Sequence, residues 1–260
     1  MSTPQVLVHR DAATLAAAVA ARLITRMVDA QSARGSASVV LTGGGIGTAS
    51  LAAVRDCGAC DAVDWERVDV WWGDERFLPE GDAERNETGA RAALLDHVPV
   101  DPVRVHAMPA SDGPDGDDPE AAAERYAAAL AAAAGPEDHG PVPRFDVLML
   151  GVGPDAHVAS LFPELPALHD TRPVVAVRGA PKPPPTRLSL TLPSIRTARE
   201  VWLIAAGAEK APAMRLALTD GAGPVQVPAA GARGTARTLV LLDEAAASRL
   251  PRGLARPASP

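Results

Sequence analysis

The stretch Phe145–Pro163, FDVLMLGVGPDAHVASLFP, constrains the fold more than any other part of the chain. Its run Val147-Leu148-Met149-Leu150 holds no polar residue and reads as a fully buried strand. The run breaks at Gly151-Val152-Gly153-Pro154, where glycine permits backbone conformations that other residues resist. An acid and an imidazole follow, Asp155 and His157, two residues apart. Val158–Phe162 is expected to start a helix. A carboxylate and a histidine thus stand on a tight turn at the carboxyl end of a buried strand, where open α/β sheets form their sites.

The remaining chain repeats the strand, turn and helix pattern. Asp11 is placed to cap a helix over Ala12–Ala33, with Leu15, Val19, Leu23 and Met27 as its buried stripe. Ser38–Leu41 reads as a strand, followed by Thr42-Gly43-Gly44-Gly45-Ile46-Gly47 and a helix over Thr48–Val54. Further strands are expected at Val6–Val8 (an edge), Val68–Trp72, Pro173–Val177, Arg187–Leu192, Val201–Ala206 and Leu239–Leu242. Further helices are expected at Ala83–His97, Pro119–Ala134 and Ala208–Leu218, with short ones from Pro193 and Asp243. This alternation predicts an α/β fold, a doubly wound and mainly parallel sheet with helices on both faces. Residues 1–250 are expected to form one domain and 251–260 a disordered tail.

The net charge of −7 argues against nucleic acid or an anionic membrane as the main partner. An acidic chain that binds an anion needs a local cluster of donors. Lysine occurs only at Lys182 and Lys210, so arginine carries nearly all positive charge. Cys57 and Cys60 form a CxxC, but no His or Cys nearby completes a zinc site, and the pair reads as part of a loop. There is no signal-like N-terminal segment and no apolar run of membrane-spanning length, so a cytoplasmic protein is expected.

Four stretches carry chemistry. Thr42–Ser50, TGGGIGTAS, joins a strand to a helix, so its backbone N–H groups can meet a phosphate. It is not a P-loop, and Thr48 stands where G-x-G-x-x-G needs its third glycine, which weakens a nucleotide reading. Trp71–Pro79, WWGDERFLP, places Asp74, Glu75 and Arg76 after a strand, and Arg76 can grip a phosphate or carboxylate through two bonds. In GPDAH, His157 is the best general base in the chain and Asp155 can hold its ring. In APKPPPTRLSLTLPSI, Lys182 lies on a stiff proline-rich loop and Arg187 opens a strand. No G-x-S-x-G supports a serine hydrolase.

Taken in order, these stretches resemble the 6-phosphogluconolactonase family. The resemblance rests on TGGG at Thr42–Gly45, DERFLP at Asp74–Pro79 with Asn86 beyond, GVGPDAHVASLFP at Gly151–Pro163 and PKPPPTRLSLTLPSI at Pro181–Ile195. The family looks related to the glucosamine-6-phosphate deaminases, which implies a NagB/RpiA-like, Rossmann-type fold. It implies hydrolysis of 6-phospho-D-glucono-1,5-lactone in the oxidative branch of the pentose phosphate pathway, with no cofactor and no metal. By this resemblance His157 and Asp155 are catalytic, with His157 activating water. Gly43, Gly44, Gly45, Asp74, Arg76, Lys182 and Arg187 hold the substrate, and N–H groups of the Gly151–His157 turn are expected to meet the oxyanion. The chain is expected to act as a monomer or homodimer. Where the family carries Asp-Gly-His, this chain reads Asp155-Ala156-His157; a left-handed backbone there costs an alanine about 1 kcal/mol. Two other readings remain: an amino-sugar-phosphate deaminase or isomerase with Asp74 as its base, and a silent sugar-phosphate-binding protein.

Overall fold

A computed structural model describes residues 1–138, 140–219, 221–251, 253–254 and 256–257. The strands in chain order are β1 (Pro4–His9), β2 (Ala37–Leu41), β3 (Val68–Trp72), β4 (Asp74–Arg76), β5 (Val147–Gly151), β6 (Val174–Val177), β7 (Arg187–Leu190), β8 (Glu200–Ala205), β9 (Arg237–Asp243) and β10 (Arg256–Pro257). The helices are α1 (Ala12–Arg34), α2 (Gly44–Arg55), α3 (Asn86–Ala93), α4 (Pro119–Ala133), α5 (Leu192–Ile195), α6 (Ala211–Ala217), α7 (Pro228–Gly231) and α8 (Glu244–Ala247).

The main sheet has the order β10-β1-β9-β8-β5-β2-β3, and its pairings are parallel throughout. β8 is buried at every position and β5 at every position but its last, as expected of strands covered on both faces. This is the mainly parallel α/β architecture anticipated from the alternation of apolar runs and helices. From β2 the chain steps outward to β3, then returns to add β5 on the other side of β2. The order therefore reverses between β2 and β5, and the crevice beyond their carboxyl ends is the natural ligand position of such a sheet.

Several local expectations hold for visible reasons. Asp11 accepts the Thr14 N–H at 2.7 Å and caps α1, which ends at Gly35 with φ +80°. Asp118 caps α4, with Pro119 at its first position.

Asp74–Arg76, which follows β3, is itself a short strand, antiparallel to β7, which is in turn antiparallel to β6. These three strands form a second small sheet outside the parallel one. Other local expectations are corrected. The helix expected over Ala83–His97 is only α3 and a short 3-10 turn at Leu95–His97. The helix expected from Val158 does not form. Val158 instead bridges to Val152 and Leu161, Ala159 sits at φ +50°, and Ser160 is bonded to Ser189 and Asp74. These tertiary partners outcompete the helix, and Pro163 disfavours a helical residue before it. β1 is flanked by β10, so Arg256–Pro257 departs from the unstructured tail expected over 251–260. Residues 252, 255 and 258–260 lie outside the described residues.

Candidate active site

At the switch point between β2 and β5 lies a cavity of about 570 Å³. Its lining includes Thr42, Gly43, Gly44, Gly45, Asp74, Arg76, Asn86, Gly153, His157, Lys182, Arg187 and Lys210. Four stretches far apart in sequence thus meet in one place. Of the expected site residues only Asp155 does not line the cavity; it stands behind His157.

The β2 turn runs straight into α2, which begins at Gly44, earlier than expected. The first N–H groups of α2 therefore border the cavity without intrahelical partners, and the helix N-terminus adds positive potential. The Gly151 N–H donates to Thr42 Oγ1 at 3.1 Å and ties this turn to the next one.

In the β5 turn, Asp155 Oδ1 and His157 Nδ1 lie 2.5 Å apart. This bond commits Nδ1 and leaves Nε2 as the free ring nitrogen. The ring packs on Phe162 at a centroid distance of 4.5 Å. Burial alone would raise the Asp155 carboxyl, but the His157 hydrogen bond and the charges of His157 and Lys182 outweigh it and hold it at about 2. Gly153 is required by space, since a Cβ there would lie 2.0 Å from His157 Nδ1 and 2.5 Å from Asp155 Oδ1. Three of the turn's N–H groups already have acceptors within the protein. Gly153 donates to His157 O, Ala156 to Gly153 O and Gly151 to Thr42.

The small sheet supplies two of the cavity's cations, Arg76 and Arg187. In the β4–β7 register Arg76 stands directly opposite Arg187, a like-charge pair that is unfavourable on its own. The Arg187 guanidinium is buried, donates to the carbonyls of Lys182, Pro183 and Pro184, and lies 5.9 Å from the Phe162 ring centroid. Asp74 is also buried; Ser160 Oγ donates to its Oδ2 at 2.7 Å.

The family model for glucosamine-6-phosphate isomerases and 6-phosphogluconolactonases matches residues 10–241. The chain belongs to that family. It is 67% identical over 258 residues to a 6-phosphogluconolactonase of Streptomyces coelicolor, with 99% of this chain and 98% of that protein covered. It is 51% identical over 242 residues to a 6-phosphogluconolactonase of Mycobacterium tuberculosis, covering 93% of this chain and 96% of that protein. Among solved structures, a 6-phosphogluconolactonase from Trypanosoma brucei superposes with a TM-score of 0.77 at 27% identity, covering 96% of this chain and all of that one.

The family pattern left two residues of this site out of the expected list. Lys210 enters the cavity from the segment after β8, where the Gly207 N–H is held by the Asp243 carboxylate at 3.1 Å. Burial lowers Lys210, Lys182 lowers it further, and Glu209 and Asp155 oppose the shift. Its signal was present in the sequence: a chain with only two lysines places both in one cavity. Asn86 was visible only as a letter after the DER segment. The alanine that departs from the family's Asp-Gly-His is left-handed, with Ala156 at φ +66° and its side chain buried. Cys57 and Cys60 are free thiols at the far end of α2 and take no part in this site. Among the described residues no helix is long and apolar enough to cross a membrane.

Proposed function

We propose that this chain hydrolyses 6-phospho-D-glucono-1,5-lactone to 6-phospho-D-gluconate, with His157 as the base that activates water. The observation that carries the substrate class is the charge of the cavity. Arg76, Lys182, Arg187 and Lys210 line it together in a chain whose net charge is −7. Four cations beside a helix N-terminus suit a phosphate dianion. The relatives called 6-phosphogluconolactonase supply the lactone.

In this reading the phosphate rests on the N–H groups at the start of α2 and on the cationic side chains, which sets the lactone carbonyl against His157. Nε2 takes a proton from water as its oxygen attacks C1. Negative charge gathers on the carbonyl oxygen and is met by the neighbouring cations. The C1–O5 bond then breaks, and the ring oxygen leaves as a hydroxyl with the proton that His157 returns. Asp155 holds the ring with Nε2 towards the cavity and stabilises the imidazolium formed in between.

The test is acid release from freshly generated 6-phosphogluconolactone, compared with its spontaneous rate. Acceleration proportional to enzyme concentration is expected, with no ammonia released from glucosamine 6-phosphate. A rate equal to the spontaneous one would sink the proposal.

A further inference from the structure

We infer that Asn86 is a positioning residue, which locks the Arg76 guanidinium and the Thr42–Gly45 turn into one substrate-holding unit. The inference deepens the lactonase reading and rests on it, since Arg76 is there taken to hold substrate.

Asn86 is buried at the first position of α3, and every polar atom of its side chain is engaged. Oδ1 accepts from Arg76 Nη1 at 2.7 Å, and Nδ2 donates to Asp74 O at 2.8 Å. The amide orientation follows from chemistry, because a guanidinium only donates and a carbonyl only accepts. The same Oδ1 occupies the space beside Gly43, where a Cβ would lie 1.8 Å away. Gly43 therefore owes its identity to Asn86, whereas Gly45 has open space around it. One amide thus touches the anion-binding turn, the guanidinium and the strand carrying Asp74.

Arg76 needs such a hold. It faces Arg187 across the small sheet, and repulsion favours swinging its long side chain away. Besides Asn86, the Glu84 carbonyl accepts from Nη1 at 2.8 Å. Nε is buried with no hydrogen-bond partner among the described residues.

Asn86 is itself held by Glu75. Oε1 of that fully buried carboxylate accepts the N–H groups of Arg76 at 2.8 Å and Asn86 at 2.6 Å, and Oε2 accepts that of Glu87 at 2.9 Å. Glu75 therefore does for α3 what its N-cap residue, Arg85, does not, since Arg85 makes no side-chain cap. It ties β4 to the helix that presents Asn86. The DER segment so divides its work: Arg76 reaches into the cavity, and Glu75 builds the frame behind it.

The test is a double-mutant cycle on Asn86→Ala and Arg76→Ala. It is read by KM and kcat with 6-phosphogluconolactone and by the Kd for 6-phosphogluconate in calorimetry, with thermal unfolding alongside. Each single variant is expected to raise KM and Kd about tenfold or more, the scale of one hydrogen bond to a charged group, with a smaller change in kcat. The double variant is expected to be no worse than Arg76→Ala alone. Gly43→Ala, which places a methyl where Oδ1 sits, is expected to reproduce the Asn86→Ala defect and keeps the test open if Asn86→Ala does not fold. Additive losses, or wild-type KM and Kd in Asn86→Ala, would overturn the positioning role. A wild-type protein with no lactonase rate would instead remove the lactonase reading, and the Kd cycle would still decide whether Asn86 acts through Arg76.

Discussion

The parallel sheet and the small antiparallel sheet contribute to the cavity in different ways. The large sheet supplies turns: the α2 N-terminus after β2, and the Asp155–His157 pair after β5. Their positions follow from strand order, because the switch point puts both turns side by side. The small sheet supplies Arg76 and Arg187, brought face to face by antiparallel pairing. In the proposed reading the large sheet thus places the chemistry and the α2 end of the phosphate site, and the small sheet adds two arginines to the grip. Changes in the β5 turn should act on kcat, and changes in the small sheet on KM.

The sharpest way to break that division is Gly153→Ala. The new methyl must displace the imidazole or the carboxylate, and kcat is expected to fall about 100-fold, the usual cost of a misplaced catalytic group. A change confined to KM would mean that the β5 turn only binds.

On the other side, Glu75 makes the small sheet sensitive to pH. Burial raises its carboxyl to about 7 against the charge of Arg85 and three N–H donors. A raised folded value means that the native state binds the proton more tightly than the unfolded chain. The contribution to stability is fully present below the ordinary glutamate range and is lost as pH rises through 7. Denaturant unfolding should show lower stability at pH 8 than at pH 5 by roughly 2–3 kcal/mol from this group, and Glu75→Gln should remove that part of the slope. An unchanged slope in the variant would show that the carboxyl does not titrate there.

Arg187→Ala tests the grip. KM is expected to rise about tenfold with a smaller change in kcat, since one charged hydrogen-bonding partner is lost. A fall in kcat at constant KM would move Arg187 to the reacting end of the substrate.

The smallest expected effect lies back in the β5 turn. Ala156 occupies a left-handed conformation that glycine adopts without strain. Ala156→Gly is expected to stabilise the protein by about 1 kcal/mol, raising Tm by about 3 °C, with kcat unchanged within error. A lower Tm would mean that the buried methyl contributes more than the strain costs.

The same two regions differ in how far the sequence could be read. Val147–Leu150 and Ser38–Leu41 announce buried strands through composition alone, and the glycines after them mark where each ends. The parallel sheet and the Asp155–His157 turn were legible for that reason. The segment Asp74–Arg76 reads as a charged turn because three polar residues carry no period; only pairing with β7 makes it a strand. Val158–Phe162 carries helix-compatible residues, yet bonds from Ser160 to Asp74 and Ser189 decide its shape. The role of Gly43 was invisible because it depends on Asn86, which arrives in space through α3. Lys210 stands in no motif, and only the fold brings it into the cavity beside Lys182. What the sequence hides is the set of contacts that depend on pairing between distant segments.

The most direct test of the central claim is the steady-state hydrolysis of 6-phosphogluconolactone by His157→Ala. A 10²- to 10⁴-fold loss of kcat is expected, the usual range for a general base, with 6-phosphogluconate still bound at near wild-type affinity. Turnover within a few fold of wild type would contradict the assignment of His157 as the residue that activates water.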